Sequence, residues 1–236
     1  MSTVASPIDL SLPPDGLLFA LRQRFLLPLP GPEADRMMAP ELAYGRHAGP
    51  PAIDAREAAV VVLLYRQERE WFVPAMLRPI EMKLHAGQVA LPGGAVEPGE
   101  APYETSLREL NEELGVAPDS ACVLGALRPI YVFNSNFWLK PFVALCGERP
   151  AFQLNPCEAT ELIEIPLAAL LDPAQRGEHQ IERKGLVFRA PHYQVGPHRV
   201  WGATSLILAQ LAALLTSEAG GRRSSGTPLT THHSPR

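Results

Sequence analysis

Apolar residues fall into short blocks separated by polar or proline-rich stretches. Over residues 9–25, Leu17, Leu18, Leu21 and Phe25 recur at helical spacing, which predicts a short amphipathic helix. Pro28, Pro30, Pro32, Pro40, Pro50 and Pro51 then break the chain into an irregular connection. It is expected to wrap the domain, because Leu27, Leu29, Met37 and Met38 need cover. The run AAVVVLLY (58–65) reads as a buried strand, and WFVPAMLR (71–78) as its hairpin partner across a polar turn at 67–70. Further strands are expected at 88–91, 122–133, 138–146 and 160–165, and helices at 102–114 and 203–215. His192 and His198 flank the turn YQVGP and read as hairpin residues. Many strands with few interspersed helices predict an α+β domain, not a doubly wound one.

The 236 residues suffice for one sizeable domain with extensions. We divide them as 1–55 (N-terminal helix and irregular extension), 56–216 (folded domain) and 217–236, a polar tail expected to be disordered. A net charge of -4 leaves no basic footprint, so duplex nucleic acid is not an expected partner. Cys122, Cys146 and Cys157 show no metal-ligand spacing. The first two sit in apolar runs and are expected to be small buried hydrophobes. Reduced thiols fit a cytoplasmic protein. No basic n-region precedes an apolar run, and 58–65 is too short to cross a bilayer, so neither signal peptide nor membrane contact is expected. A homodimer is an admissible assembly.

The chemistry concentrates in residues 93–116, GGAVEPGEAPYETSLRELNEELGV. Pro102 suits a first helical turn, where its missing N–H is not needed, and Gly115 suits the position just past a helix end. At about 100° per residue, Tyr103, Leu107, Leu110 and Leu114 form an apolar stripe that docks on the sheet. Glu109, Glu112 and Glu113 cluster elsewhere, because positions i, i+3 and i+4 are neighbours. Carboxylates held that close repel, a cost that a hard divalent cation would remove. Arg108 lies four residues before Glu112 and can pair with it. Gly93, Gly94 and Gly99 let backbone approach an ion or phosphate, and Glu100 sits at the helix entrance, where the macrodipole favours an anion. Taken alone, the pattern also fits a solvated amphipathic helix.

This segment resembles the Nudix box, G-x5-E-x7-R-E-U-x-E-E-x-G-U with U apolar. Gly94, Glu100, Arg108, Glu109, Leu110, Glu112, Glu113, Gly115 and Val116 fill every specified position. The resemblance implies a mixed β-sheet between helices, with the box as a loop–helix–loop. It implies an enzyme that splits a diphosphate bond in a nucleotide derivative, with Mg²⁺ or Mn²⁺ held by Glu109, Glu112 and Glu113. Arg108 and Glu100 would support the site by pairing and orienting. The metal would clamp phosphate oxygens and acidify water, with Glu112 or Glu113 as general base. Some relatives use a later glutamate, a place open to Glu158 or Glu161. A catalytically inactive nucleotide-binding module is the rival of another class, although such modules usually lose a box carboxylate.

Upstream, LRPIEMKLHAGQVALPGG (77–94) resembles the motif preceding the box in coenzyme A pyrophosphatases, L-L-T-x-R-[SA]-x3-R-x3-G-x3-F-P-G-G. Arg78, Gly87, Pro92, Gly93 and Gly94 match. Lys83 replaces an arginine, Pro79 a Ser or Ala, Leu91 a Phe, and Pro74-Ala75-Met76 the L-L-T. The resemblance implies cleavage of coenzyme A or acyl-CoA to 3′,5′-ADP and a 4′-phosphopantetheine. Arg78, Lys83, Gly93 and Gly94 would then bind substrate. ADP-ribose, a nucleotide sugar or a (d)NTP is the alternative. His85 is open to either a phosphate contact or a backbone-capped loop role, and Trp201 and Phe137 to either pocket lining or core.

Overall fold

The computed structural model describes residues 6–43, 46–82, 84–183 (without the Arg183 side chain) and 185–216. Lys83 and the tail at 217–236 lie outside the described residues. The first helix, α1 (Pro14–Phe25), begins at Pro14 and not at residue 9. A proline drives the residue before it out of the helical region, yet is tolerated at the first helical position. Leu17 and Leu21 are fully buried, with Leu18 and Phe25 packed alongside. The proline-rich connection contains one helical turn, α2 (Glu33–Arg36), and 3-10 turns at Glu41–Ala43 and Arg46–Ala48. It covers part of the core, with Met38 buried and Met37 left exposed.

The strand β1 (Arg56–Gln67) turns into β2 (Glu70–Leu77) with Gln67 opposite Glu70. Then come β3 (Val89–Ala90), β4 (Gly93–Ala95), α3 (Pro102–Leu114), β5 (Cys122–Ala126), β6 (Ile130–Val132), β7 (Phe137–Leu145) and β8 (Glu161–Pro166). The strand expected over 122–133 is two strands, interrupted before Pro129, which has no N–H to offer a ladder. After β8 follow α4 (Leu167–Leu171), β9 (Arg176–Arg183), β10 (Leu186–Val195), β11 (His198–Trp201) and α5 (Ala203–Thr216). The β9 strand, RGEHQIER, has no apolar alternation and gave no signal in the sequence. His192 faces Trp201 and His198 faces Val195 across the β10–β11 hairpin, the role expected of them.

Eight strands form a mixed sheet, ordered β3-β2-β1-β7-β5, with β4 added to β1, β6 to β7 and β8 to β2. The β1–β7 pair is parallel and the others are antiparallel. The apolar run in β1 is buried on both faces, because successive side chains point to opposite sides. Val60, Val62 and Leu64 meet Leu17 and Leu21 of α1 and the buried face of α5. Val61 and Leu63 meet Leu110 and Leu114 of α3. The fold is therefore α+β, a mixed sheet between helices. Each fully buried Val or Leu contributes about 1.5–3 kcal/mol, so this central strand anchors both layers.

Two expectations need correction. Tyr103, placed in the docking stripe of α3, is 45% exposed, because it lies in the first turn, beyond the sheet's cover. Cys122 is exposed at the start of β5, while Cys146 is half-buried, and all three cysteines are free thiols. Among the described residues, no helix is long and apolar enough to cross a membrane.

Candidate active site

The helix α3 is held firmly at both ends. Pro102 opens it, and the Glu104 carboxylate accepts the Ala101 N–H at 2.9 Å. Gly115 closes it with φ 71°, and its N–H donates to Asn111 O at 2.8 Å. Arg108 then gathers carboxylates from both sides of the helix entrance. Its Nε donates to Glu100 Oε1 at 3.0 Å, and its Nη1 donates to Glu109 Oε1 and Glu112 Oε2, each at 2.9 Å. Thr105 Oγ1 also donates to Glu100 at 2.6 Å. These bonds from Arg108, then Thr105, hold the Glu100 carboxyl down at about 2, so it stays ionised.

Glu113 has the opposite environment. It is 1% exposed, and burial pushes its carboxyl up to about 9 despite the Gly93 N–H, which donates to Oε2 at 2.9 Å. Burial also raises Glu109. Glu109, Glu113 and Glu158 each offer a carboxylate oxygen, all within 4.8 Å of one another. The loop carrying Glu158 is tied to the end of α3: Gln153 N–H donates to Leu114 O at 2.8 Å, and Asn155 N–H to Glu113 O at 3.0 Å. The helix's spare C-terminal carbonyls thus position the third carboxylate. The glycines before α3 are equally constrained. A Cβ on Gly94 would fall on the Glu109 carboxylate, and one on Gly93 would stand 2.6 Å from Val60 Cα. Raised carboxyls against a glycine cradle suit a hard cation with oxygen ligands.

The structure separates residues that the sequence left together. Glu112 lies outside the oxygen cluster, with its side chain 49% exposed and paired to Arg108. Glu158 joins the cluster, whereas Glu161 lies 3.0 Å from His198 Nε2. Just before Glu158, Asn155 Oδ1 accepts the Cys157 N–H at 3.1 Å, which fixes the turn that Asn-Pro opens. Arg78 Nη1 is 3.9 Å from Glu113 Oε1, and its buried Nε has no hydrogen-bond partner among the described residues. Beside this cluster lies a cavity of about 360 Å³ whose wall includes Arg78, Gly93, Gly94, Tyr131, Phe137 and Trp201. His85 also faces it, held by Gln88 Oε1 at 2.9 Å from Nδ1, a side-chain partner and not the backbone cap considered above.

The NUDIX domain family matches residues 55–185. Two relatives agree in sequence. The Nudix hydrolase NudL of Pectobacterium atrosepticum is 35% identical over 166 residues, covering 69% of this chain and 84% of the relative. That of Photorhabdus laumondii is 32% identical over 136 residues, covering 57% and 72%. The chain belongs to the Nudix hydrolase family. A MutT/nudix family protein of Enterococcus faecalis superposes with a TM-score of 0.48 at 19% identity, covering 76% of this chain and 70% of that one. This Nudix hydrolase is an enzyme acting on a diphosphate linkage in nucleotide derivatives, and enzymes of the family generally use divalent metal ions.

Proposed function

We propose that this Nudix hydrolase cleaves coenzyme A or acyl-CoA to 3′,5′-ADP and a 4′-phosphopantetheine, with Mg²⁺ or Mn²⁺. The observation that carries the reading is the position of Arg78. It stands between the carboxylate cluster and a cavity with an aromatic wall, where a diphosphate and its organic half would meet. A cavity of about 360 Å³ falls within the usual range for small-molecule sites, and its apolar lining suits a pantetheine arm. The motif spanning Arg78, Gly87 and Gly93-Gly94 supports the same substrate.

In this mechanism Glu109, Glu113 and Glu158 would hold the metal, and the Gly93 N–H fixes the orientation of Glu113. A bound divalent ion supplies charge neutralisation at the phosphate oxygens and acidifies the attacking water. Arg78 contacts a phosphate, and Lys83 is assigned to the same task on sequence grounds. Glu112 is the general base, taking the water's proton on a carboxylate that Arg108 orients from one side and solvent reaches from the other. Arg108 is itself held by Glu100, so its fork stays aligned. Coenzyme A, ADP-ribose and dGTP assayed side by side with Mg²⁺, with products identified by mass spectrometry, test the assignment. The expected product from coenzyme A is 3′,5′-ADP. Turnover of ADP-ribose or dGTP with coenzyme A left intact would overturn the substrate.

A further inference from the structure

The connection between α1 and β1 lies outside the NUDIX match, yet it reaches the cavity. Asp35 of α2 is 1% exposed. Its Oδ2 accepts hydrogen bonds from Arg128 Nη2 at 2.9 Å and from Gln210 Nε2 at 2.8 Å. Arg128 Nε also donates to Pro30 O, and the Arg128 backbone N–H donates to Gln210 Oε1, both at 2.9 Å. One buried carboxylate thus ties α2 to the turn between β5 and β6 and to α5. Its other oxygen, Oδ1, has no hydrogen-bond partner among the described residues and lies 3.8 Å from His47 Nε2. His47 is 5% exposed and lines the cavity, and its Nδ1 also lacks a partner among the described residues.

Buried polar atoms are rarely left unpaired, and here one belongs to a histidine in the cavity wall and the other to the carboxylate behind it. A neutral imidazole donates at one nitrogen and accepts at the other. The Asp35 carboxylate only accepts, so it favours the proton on Nε2 and leaves Nδ1 as an acceptor. We propose that His47 is a specificity-determining residue that accepts a hydrogen bond from an N–H or O–H on the organic half of the substrate. Asp35 is the positioning residue that sets its tautomer. Leu42, Val132 and Ile207 also line this mostly apolar cavity, so the arm that fits is a largely apolar one carrying an amide or hydroxyl donor. An arm without a donor leaves His47 unpaired and binds less well. This inference rests on reading the cavity as the seat of the substrate's organic half.

Steady-state kinetics on the full-length enzyme with Mg²⁺, using coenzyme A, ADP-ribose and dGTP, test it. His47→Ala is expected to raise KM for the preferred nucleotide about tenfold, out of proportion to any change in kcat, which is the loss of about one buried hydrogen bond. His47→Gln, whose amide oxygen still accepts, is expected to recover most of that loss, and it remains informative if the alanine variant fails to fold. Asp35→Asn is expected to raise KM in the same direction. A KM for His47→Ala within twofold of wild type on every nucleotide cleaved overturns the inference, as does a KM for His47→Gln raised about tenfold or more, or a fall in kcat at constant KM. Cleavage of ADP-ribose or dGTP without cleavage of coenzyme A overturns only the proposed substrate, since the His47 comparison then runs on the nucleotide cleaved. Cleavage of none of the three overturns both.

Discussion

Glu109, Glu112 and Glu113 are neighbours on one helix face, yet their surroundings differ. Glu113 is buried against the Gly93 N–H, Glu109 packs against Gly94, and Glu112 reaches solvent with Arg108 as its partner. A buried carboxylate with like-charged neighbours gains most from a cation, and a half-exposed one is better placed to exchange a proton with water. Glu113→Gln and Glu158→Gln are therefore expected to weaken Mn²⁺ binding by about tenfold or more, because each removes an anionic oxygen ligand. Glu112→Gln is expected to leave Mn²⁺ affinity within about threefold while lowering kcat by roughly 10²–10⁴, the usual contribution of a general base. Titration with Mn²⁺ followed by paramagnetic resonance, set beside steady-state rates, separates the two. A Glu158→Gln enzyme that binds Mn²⁺ like the wild type would remove that residue from the proposed metal set.

At the scale of elements, the site depends on how α3 ends. Gly115 adopts φ 71°, and a Cβ there would also stand 2.7 Å from Gln153 Cβ. Gly115→Ala is expected to cost about 1–2 kcal/mol from the left-handed backbone alone, seen as a melting temperature lower by roughly 2–8 °C. It should also weaken Mn²⁺ binding, because Gln153 begins the loop that delivers Glu158. A melt unchanged to within 1 °C, on the order of the smallest shift such strain predicts, would show that the backbone relaxes at no cost. This coupling marks how much of the molecule could be read in advance. The buried run of β1, the box helix with its proline and glycine ends, and the Arg108–Glu112 pair were visible as periodicity and spacing, which are local properties. The partnership of Glu158 with Glu109 and Glu113 depends on a loop folding back over a helix end, and no spacing rule encodes that. The β9 strand escaped for a related reason: its polar sequence takes its structure from pairing with β10, not from its own pattern. His47 and Asp35 sat in a stretch whose prolines announced only irregularity.

For the molecule as a whole, these local environments become a linkage between pH, metal and stability. Burial raises the Glu113 carboxyl from an ordinary 4.5 to about 9, and Glu109 moves in the same direction. A carboxyl with a raised folded-state value binds its proton more tightly in the native than in the unfolded chain. Its contribution is thus fully present below pH 4.5 and is lost as pH rises toward about 9. The metal-free enzyme is accordingly expected to lose thermal stability across this window. A divalent cation reverses the trend, because it binds the deprotonated carboxylates and releases their protons. At a concentration of about 100 times its Kd, a metal that binds only the folded chain adds about 2.7 kcal/mol, worth roughly 5–10 °C here. That increment should be larger at pH 8.5 than at pH 5.5, where protons compete, by about 5 °C or more on the same scale. Melting curves in chelator and in Mn²⁺ at both pH values measure it, and Glu113→Gln should flatten the difference. Equal metal increments at the two pH values would mean that the buried carboxyls do not titrate with metal binding, and the cluster of Glu109, Glu113 and Glu158 would then lose its standing as the metal site.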